Sequence, residues 1–447
     1  MIQHSSRRSE PLVHFSRRQF LPAFTAATIL NTVVARPIAA AGGGSFDPIK
    51  LRQIRALFES TVNRGEIAGI SYLVMRHGRT ECEETIGYAD VATGEPLAAD
   101  SIFRIYSMTK PITAVALMTL YEEGRFGLDD PLSQYIPSFA NPRVLRSPGV
   151  AIGDTIPANR EPTIHDLFRH TAGFTHGFSP STSGTDRAYI DENLFDLELP
   201  LEEMVDRLSR IPLSYQPGTK FEYSIAPDVQ ARLVEILSGQ SFERFLQDRL
   251  FEPLGMKDTG FWALKEKSSR LVPVNLLDDG RLRPCKGPQT CPAPADFLHQ
   301  RENLNSYTTR HQHMGGSYGL VSTVHDYARF AQMMLNEGVL ENKRIIGGRT
   351  VRYMTQNHLG PVVIPARDGW PSGTGWGLGF ALVENPAELG EMASPGTFYW
   401  GGVAGTTFWV DPTEDLVVVA MTQHMDVPAV GRAFSALKSM IYGALAN

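Results

Sequence analysis

Ser107 and Lys110 stand three residues apart, where an apolar run over residues 102–106 gives way to a helical pattern. Positions i and i+3 share a helix face, so hydroxyl and amine would lie side by side. A lysine in the first turn meets the positive end of the helix dipole, and burial disfavours its charge further. A neutral or readily neutralised amine can take the serine's proton, which makes the hydroxyl a nucleophile for acyl transfer. Pro111 suits a first helical turn, where its missing N–H has no bond to lose. Ala114, Leu117, Met118, Leu120 and Tyr121 continue an apolar stripe, and Gly124 stops it.

The pair alone is a weak signal, because Ser-x-x-Lys arises by chance roughly once in a chain this long. A second copy, Ser435-Ala436-Leu437-Lys438, lies inside the periodicity of a C-terminal helix with neither Gly nor Pro at its entry, and reads as structural. Gly315-Gly316-Ser317-Tyr318-Gly319 offers a rival nucleophile, since it matches the Gly-x-Ser-x-Gly elbow of α/β-hydrolases. That elbow needs an apolar strand before it and a helix directly after it. Residues 308–313 are polar and more loop follows, so Ser317 reads as a decoy. His311 and His313 lack a carboxylate at helical spacing and read as loop histidines near the surface. No metal or other cofactor is expected.

The elements that must position these groups belong to a chain of 447 residues, enough for one large domain or two. With 42% hydrophobic and 20% charged residues it can bury a full core. The net charge is −6 with no basic patch, so nucleic acid is not an expected partner. Cys82, Cys285 and Cys291 form no Cys-x-x-Cys, which disfavours zinc. Cys285 and Cys291 flank a Pro/Gly loop and either form a disulfide or remain thiols. Ser16-Arg17-Arg18-Gln19-Phe20-Leu21 is a twin-arginine pattern, followed by an apolar run over 21–34 and Ala39-Ala40-Ala41 as a cleavage site. Residues 1–41 therefore read as an export signal, which implies a periplasmic or secreted protein. No other run is long enough to span a bilayer, so no stable membrane anchor is expected once the signal is removed.

Asp47-Pro48 caps a helix to about Asn63, and strands follow at 70–76 and 83–89. Residues 127–217 carry Pro, Gly and short helical patterns, at 163–170 and 201–208, and read as helices and loops without a sheet. The Gly/Ser/Thr-rich stretch 174–186 reads as a loop placed to overhang a site. Asp228 opens a helix ended by Gly239, another spans 242–250, residues 265–310 look irregular, and a helix covers 324–335. The tail reads as a meander at 377–383, 396–400, 406–410 and 416–422, then a helix at 428–445. Strands at both ends with helices between predict an α+β fold: an antiparallel sheet flanked by helices, assembled from residues 46–115 and 219–447, with a helical domain at 116–218.

Three short motifs fall in order along this frame: Ser107-x-x-Lys110, Tyr223-Ser224-Ile225, and Trp400-Gly401-Gly402 followed by Val403. The ordered trio resembles the serine β-lactamase and penicillin-binding-protein superfamily, above all the class C β-lactamase group and its esterase offshoot, the family VIII carboxylesterases. His170-Thr171-Ala172-Gly173-Phe174 and Gly319-Leu320-Val321-Ser322-Thr323 extend the likeness over nearly the whole chain beyond the leader. The resemblance implies a β-lactamase/transpeptidase-like fold with Ser107 as nucleophile and Tyr223 as general base. An ordinary tyrosine, with a pKa near ~10, is ionised in only about one molecule in a thousand at neutral pH. Tyr223 and Lys110 should therefore titrate as a unit. The N–H groups of Ser107 and Val403 would form an oxyanion hole, one donor being worth about 3 kcal/mol. Gly401 and Gly402 would let substrate approach the backbone.

Two positions depart from the β-lactamase pattern. Ile225 stands where that pattern has an Asn that bonds the acylamide of β-lactams, and Trp400 where it has a Lys that attracts the substrate carboxylate. An indole offers an apolar face and one N–H instead. Both changes favour neutral, hydrophobic, small-molecule esters. The expectation is an exported carboxylesterase working through a Ser107 acyl-enzyme. The alternatives are a β-lactamase or D-amino peptidase on the same scaffold, a hydrolase using Ser317, and an inert binding protein. Oligomeric state is not legible.

Overall fold

The computed structural model describes residues 45–177, 183–284, 307–362, 364, 371–425 and 427–446. Asp47 caps α1 (Pro48–Asn63), its carboxylate accepting from Ile49 N–H at 2.8 Å. β1 (Gly69–Arg76) and β2 (Arg79–Asp90) form a hairpin through His77 and Gly78, both at positive φ, and β3 (Glu95–Pro96) extends it. β4 (Phe103–Arg104) and a 3-10 turn (Tyr106–Met108) lead into α2 (Thr109–Glu122). The middle of the chain carries β5 (Arg143–Leu145), β6 (Thr155–Pro157), α3 (Ile164–Phe168), α4 (Gly184–Asp191) and α5 (Leu201–Ser209). α6 (Ala226–Ser238), α7 (Phe242–Leu246), a π turn (Gln247–Phe251) and α8 (Glu252–Leu254) follow. Next come β7 (Asn275–Asp278), β8 (Arg281–Pro284), β9 (Val321–Ser322) and α9 (Val324–Leu335). Beyond them lie β10 (Val339–Leu340), β11 (Lys343–Arg344), α10 (Gly348–Met354), β12 (Thr374–Trp376), β13 (Ala381–Val383) and α11 (Pro386–Leu389). β14 (Phe398–Gly402), β15 (Thr406–Asp411), β16 (Leu416–Met421) and α12 (Val427–Ala444) close the chain.

The two ends build one eight-stranded antiparallel sheet, ordered β12-β13-β14-β15-β16-β1-β2-β3. β16 makes the join. It pairs with β15 on one side and with β1 on the other, in register Tyr72↔Ala420 and Val74↔Val418. Every residue of β16 is buried, as a strand covered on both faces requires. Alternate side chains point to opposite faces. Val418 and Ala420 join Phe58 of α1 and Leu437 and Ile441 of α12. Val417, Val419 and Met421 join the larger core with Val115 and Leu117 of α2 and Tyr327 and Phe330 of α9. Each fully buried Val, Leu, Ile, Phe or Met among them stabilises by about 1.5–3 kcal/mol. α2 is buried from Thr109 to Leu120, so the helix carrying Lys110 runs through the interior. Residues 44–447 gather into one compact unit, and 116–218 supply no strand to the large sheet. Among the described residues no helix is long and apolar enough to cross a membrane.

Several local expectations need correction. Ser107 lies in the 3-10 turn that precedes α2, not in the helix itself. The middle region does contain a sheet, the β5–β6 ladder, whose three-residue strands are too short for alternation to betray them. Part of the expected 174–186 loop is helical: Ser183 caps α4 through Asp186 N–H at 3.1 Å. Residues 178–182 of that stretch, the leader, Cys285 and Cys291 lie outside the described residues. The irregular stretch from 265 contains the β7–β8 hairpin. The helix expected over 242–250 widens into the π turn just before Pro253, which has no N–H to continue an α ladder.

Candidate active site

Tyr106 turns the chain out of β4 with φ 42°, a left-handed value uncommon outside glycine. The next residue is Ser107. Lys110, 4% exposed, points its Nζ at two oxygens: Ser107 Oγ at 3.2 Å and the Ser317 carbonyl at 2.8 Å. The same Nζ lies 4.7 Å from the centroid of the Tyr223 ring. An amine within reach of a hydroxyl, with a phenol beside both, is an arrangement that can move a proton off the hydroxyl.

Tyr223 is positioned by the 170–175 segment. Glu222 N–H donates to His170 O at 2.9 Å, and Ile225 N–H donates to Thr175 O at 3.0 Å. His170 Nδ1 accepts the Ser224 N–H at 3.2 Å and lies 2.9 Å from the Ser224 hydroxyl. A backbone N–H can only donate, so Nδ1 carries no proton. Burial, followed by the nearby Lys110 charge, holds this imidazole well below its ordinary pKa, in accord with a neutral ring. The ring packs 4.9 Å from Tyr223. Burial raises the Tyr223 pKa well above that of an ordinary phenol. Hydrogen bonding with the Ser107 and Trp400 side chains pulls it down, and the negative Asp228 pushes it up.

The third motif lies on β14. A Cβ on Gly402 would sit 2.4 Å from Ile105 O and 2.3 Å from Thr406 Oγ1, so glycine is needed for the strand to reach the chain two residues before Ser107. Thr406 Oγ1 donates to the same Ile105 O at 3.2 Å. Trp400 sets its ring 5.2 Å from Tyr223 and edge-on to Trp376 at 4.7 Å. A small cavity of about 40 Å³ brings Ser107, Lys110, Tyr223, Ser224, Ile225 and Val403 together. Trp400, Gly401 and Gly402 do not line it. Tyr106, His176, Ser317 and Tyr318 do, and only Ser317 had attracted notice in the sequence. Their apolar or loop contexts gave no signal.

Ser317 is 1% exposed, and its hydroxyl donates to Asp228 Oδ2 at 2.6 Å. A carboxylate acceptor of this kind holds the hydroxyl in place, and the Gly-x-Ser-x-Gly segment is a turn followed by β9, not by a helix. His313 is a correction: it is 6% exposed, not superficial. Its Nδ1 donates to Leu199 O at 3.1 Å and its Nε2 lies 3.0 Å from the Tyr318 hydroxyl. Backbone bonding of His313 N–H to Leu197 O draws that loop inward. His311 is more exposed and bonds Glu198 at 2.7 Å. Cys82 is a free thiol pushed up to about 12 by burial, which leaves it chemically quiet.

Known proteins resemble this chain along most of its length. The Beta-lactamase family model matches residues 54–438. Protein Rv1367c of Mycobacterium tuberculosis is 32% identical over 383 residues, covering 83% of this chain and 89% of its own. Esterase EstB of Burkholderia gladioli is 28% identical over 399 residues, 87% of this chain and 94% of its own. Among solved structures, EstCE1, described as a hydrolase with promiscuous acyltransferase activity, superposes with a TM-score of 0.75. It is 26% identical and spans 88% of this chain and 99% of its own.

Proposed function

The chain belongs to the Beta-lactamase family and is a serine hydrolase, and from that premise we propose that it is a carboxylesterase acting on neutral, hydrophobic esters through a Ser107 acyl-enzyme. Ser107 Oγ attacks the acyl carbon while its proton passes to the Tyr223–Lys110 pair. The N–H groups of Ser107 and Val403 hold the oxyanion. The pair then returns the proton to the departing alcohol, and water releases the acid by the reverse route. The observation that carries this reading is the Lys110 Nζ, buried and 3.2 Å from Ser107 Oγ, with the Tyr223 ring at 4.7 Å.

The ester preference rests on Ile225 and Trp400. Ile225 is 2% exposed and lines the cavity with an apolar side chain. Trp400 brings no charge that would attract a substrate carboxylate. The esterase names of two relatives point the same way. Residues 1–41 direct export through the twin-arginine route in this reading.

The test is hydrolysis of short p-nitrophenyl esters by wild type, Ser107→Ala and Ser317→Ala, beside a chromogenic cephalosporin. The expected result is no turnover with Ser107→Ala, turnover retained with Ser317→Ala, and esters far better than the cephalosporin. A dead Ser317→Ala beside a live Ser107→Ala overturns the nucleophile. Faster cephalosporin cleavage replaces the esterase reading with a β-lactamase.

A further inference from the structure

Asp228 has no role in the chemistry above, yet it is a fully buried carboxylate in the first turn of α6. As the residue that opens a helix it reads as a cap, but its oxygens turn to another segment. Oδ1 accepts the Ser317 N–H at 3.1 Å and Oδ2 accepts the Ser317 hydroxyl at 2.6 Å. The carbonyl of that same Ser317 accepts Lys110 Nζ at 2.8 Å. A buried carboxylate and a buried ammonium thus clasp one residue from two sides. Burying either charge is costly unless the other compensates it. The N-terminus of α6 further favours the carboxylate's charge.

The segment between them is held firmly. Thr113 Oγ1 of α2 donates to Gly316 O at 2.8 Å. A Cβ on Gly316 would lie 2.2 Å from Pro227 O, so the turn packs directly onto the start of α6. The direction of the Ser317 carbonyl is therefore fixed from both helices.

We propose that Asp228, acting through Ser317, is the counter-charge and positioning residue of Lys110, and that it sets the pH at which the Tyr223–Lys110 pair becomes a base. The inference rests on the Ser107–Lys110–Tyr223 reading of the site. Other groups near Asp228 do not supply this role. His313, which crowds Gly315 together with Asp228, bonds Leu199 O and the Tyr318 hydroxyl. Asp166 of α3 is engaged by Arg160 and Arg169, and Arg232 of α6 itself by Glu202 and Glu235. His165 of α3 bonds His358, Arg207 of α5 bonds Glu203, and Glu243 of α7 pairs with Arg310.

The pair becomes a base by losing a proton, and a fixed negative charge nearby makes that loss harder. Removing the charge must move the acidic limb of kcat/KM to lower pH. The experiment is the pH profile of p-nitrophenyl ester hydrolysis for wild type, Asp228→Asn, Asp228→Glu and Ser107→Ala. Asp228→Asn, nearly isosteric, should shift the limb down by about one pH unit. Asp228→Glu keeps the charge and should leave the limb in place even if turnover falls. A limb unmoved in Asp228→Asn beside a dead Ser107→Ala overturns the inference alone. A live Ser107→Ala overturns the site reading and the inference with it. Should Asp228→Asn not fold, Asp228→Ser, which keeps a polar side chain without the charge, is read in the same way: a limb moved to lower pH is expected, and an unmoved limb overturns the proposal.

Discussion

The chain carries Ser-x-x-Lys twice, and the two copies share nothing but spacing. In the first, Lys110 is 4% exposed and aims at Ser107 Oγ and the Ser317 carbonyl. In the second, on α12, Ser435 is exposed and Lys438 reaches Glu391 at 2.6 Å while lying over the rings of Tyr399 and Trp409. Lys438 has a carboxylate to neutralise it and an apolar face on which to rest its stem. Lys110 meets a hydroxyl, a carbonyl and a phenol ring. The comparison teaches that burial beside a hydroxyl and a phenol, not the four-residue pattern, places a lysine where it can move a proton.

The hardest test of that contrast is to remove each amine in turn. Lys110→Met should lower ester kcat by roughly a thousandfold or more, since a positioned acid–base group contributes on that scale. An active Lys110→Met would collapse the distinction between the two copies. Tyr223→Phe removes only the phenol oxygen and should cost roughly a hundredfold to a thousandfold in kcat with KM little changed. A loss confined to KM would move Tyr223 from proton transfer to substrate binding.

Acid stability must be known before either pH profile is read. Burial opposes ionisation of Asp166, but hydrogen bonds from Arg160, the Thr163 N–H, Thr171 and Arg169 outweigh it and hold the carboxyl down at about 2. Its folded pKa lies below the unfolded value of about 4, so its stabilisation is present above about pH 4 and is lost as pH falls through about 2. The term is on the order of 2 kcal/mol. Burial, then Arg169 and His358, holds His165 at about 4, so stability first declines between about pH 6.5 and 4. Denaturant melts at several pH values, with Asp166→Asn beside wild type, should show the lower step missing in the variant. The smallest effect belongs to the second copy. Lys438→Met should change stability by less than about 1 kcal/mol and leave turnover untouched. A large loss of activity there would show that α12 reaches the site in a way the contacts do not suggest.

Much of the frame was legible because local patterns sufficed. The helix over 324–335 and the strands near 396–400 and 406–410 came from periodicity and caps, and β16 from a run of apolar residues bounded by turns, whereas the strand expected over 377–383 shrinks to β13 and β12 before it was missed. The β5–β6 and β7–β8 ladders were missed because their strands are three or four residues long, too short for alternation to register. Asp228 was expected to open a helix, but α6 starts two residues earlier at Ala226 and the carboxylate turns to Ser317, and His313 was placed at the surface when it is buried. Trp400 was expected at the substrate, and nothing in the sequence signalled that its ring also packs against Tyr223 and Trp376.

The sequence by itself determined which residues are equipped for acyl transfer and the order in which the chain presents them. It also determined that strands from both ends must share a sheet, because neither end alone can cover its apolar residues. Only the tertiary structure decided which Ser-x-x-Lys is buried, which carbonyl its lysine meets and which histidine backs the tyrosine. Those facts depend on contacts between residues 207 apart for Lys110 and Ser317, 54 apart for His170 and Ser224, and 301 apart for Ile105 and Thr406. Local propensity acts over a few neighbours along the chain, whereas burial and side-chain partners are set by whichever distant segment packs alongside.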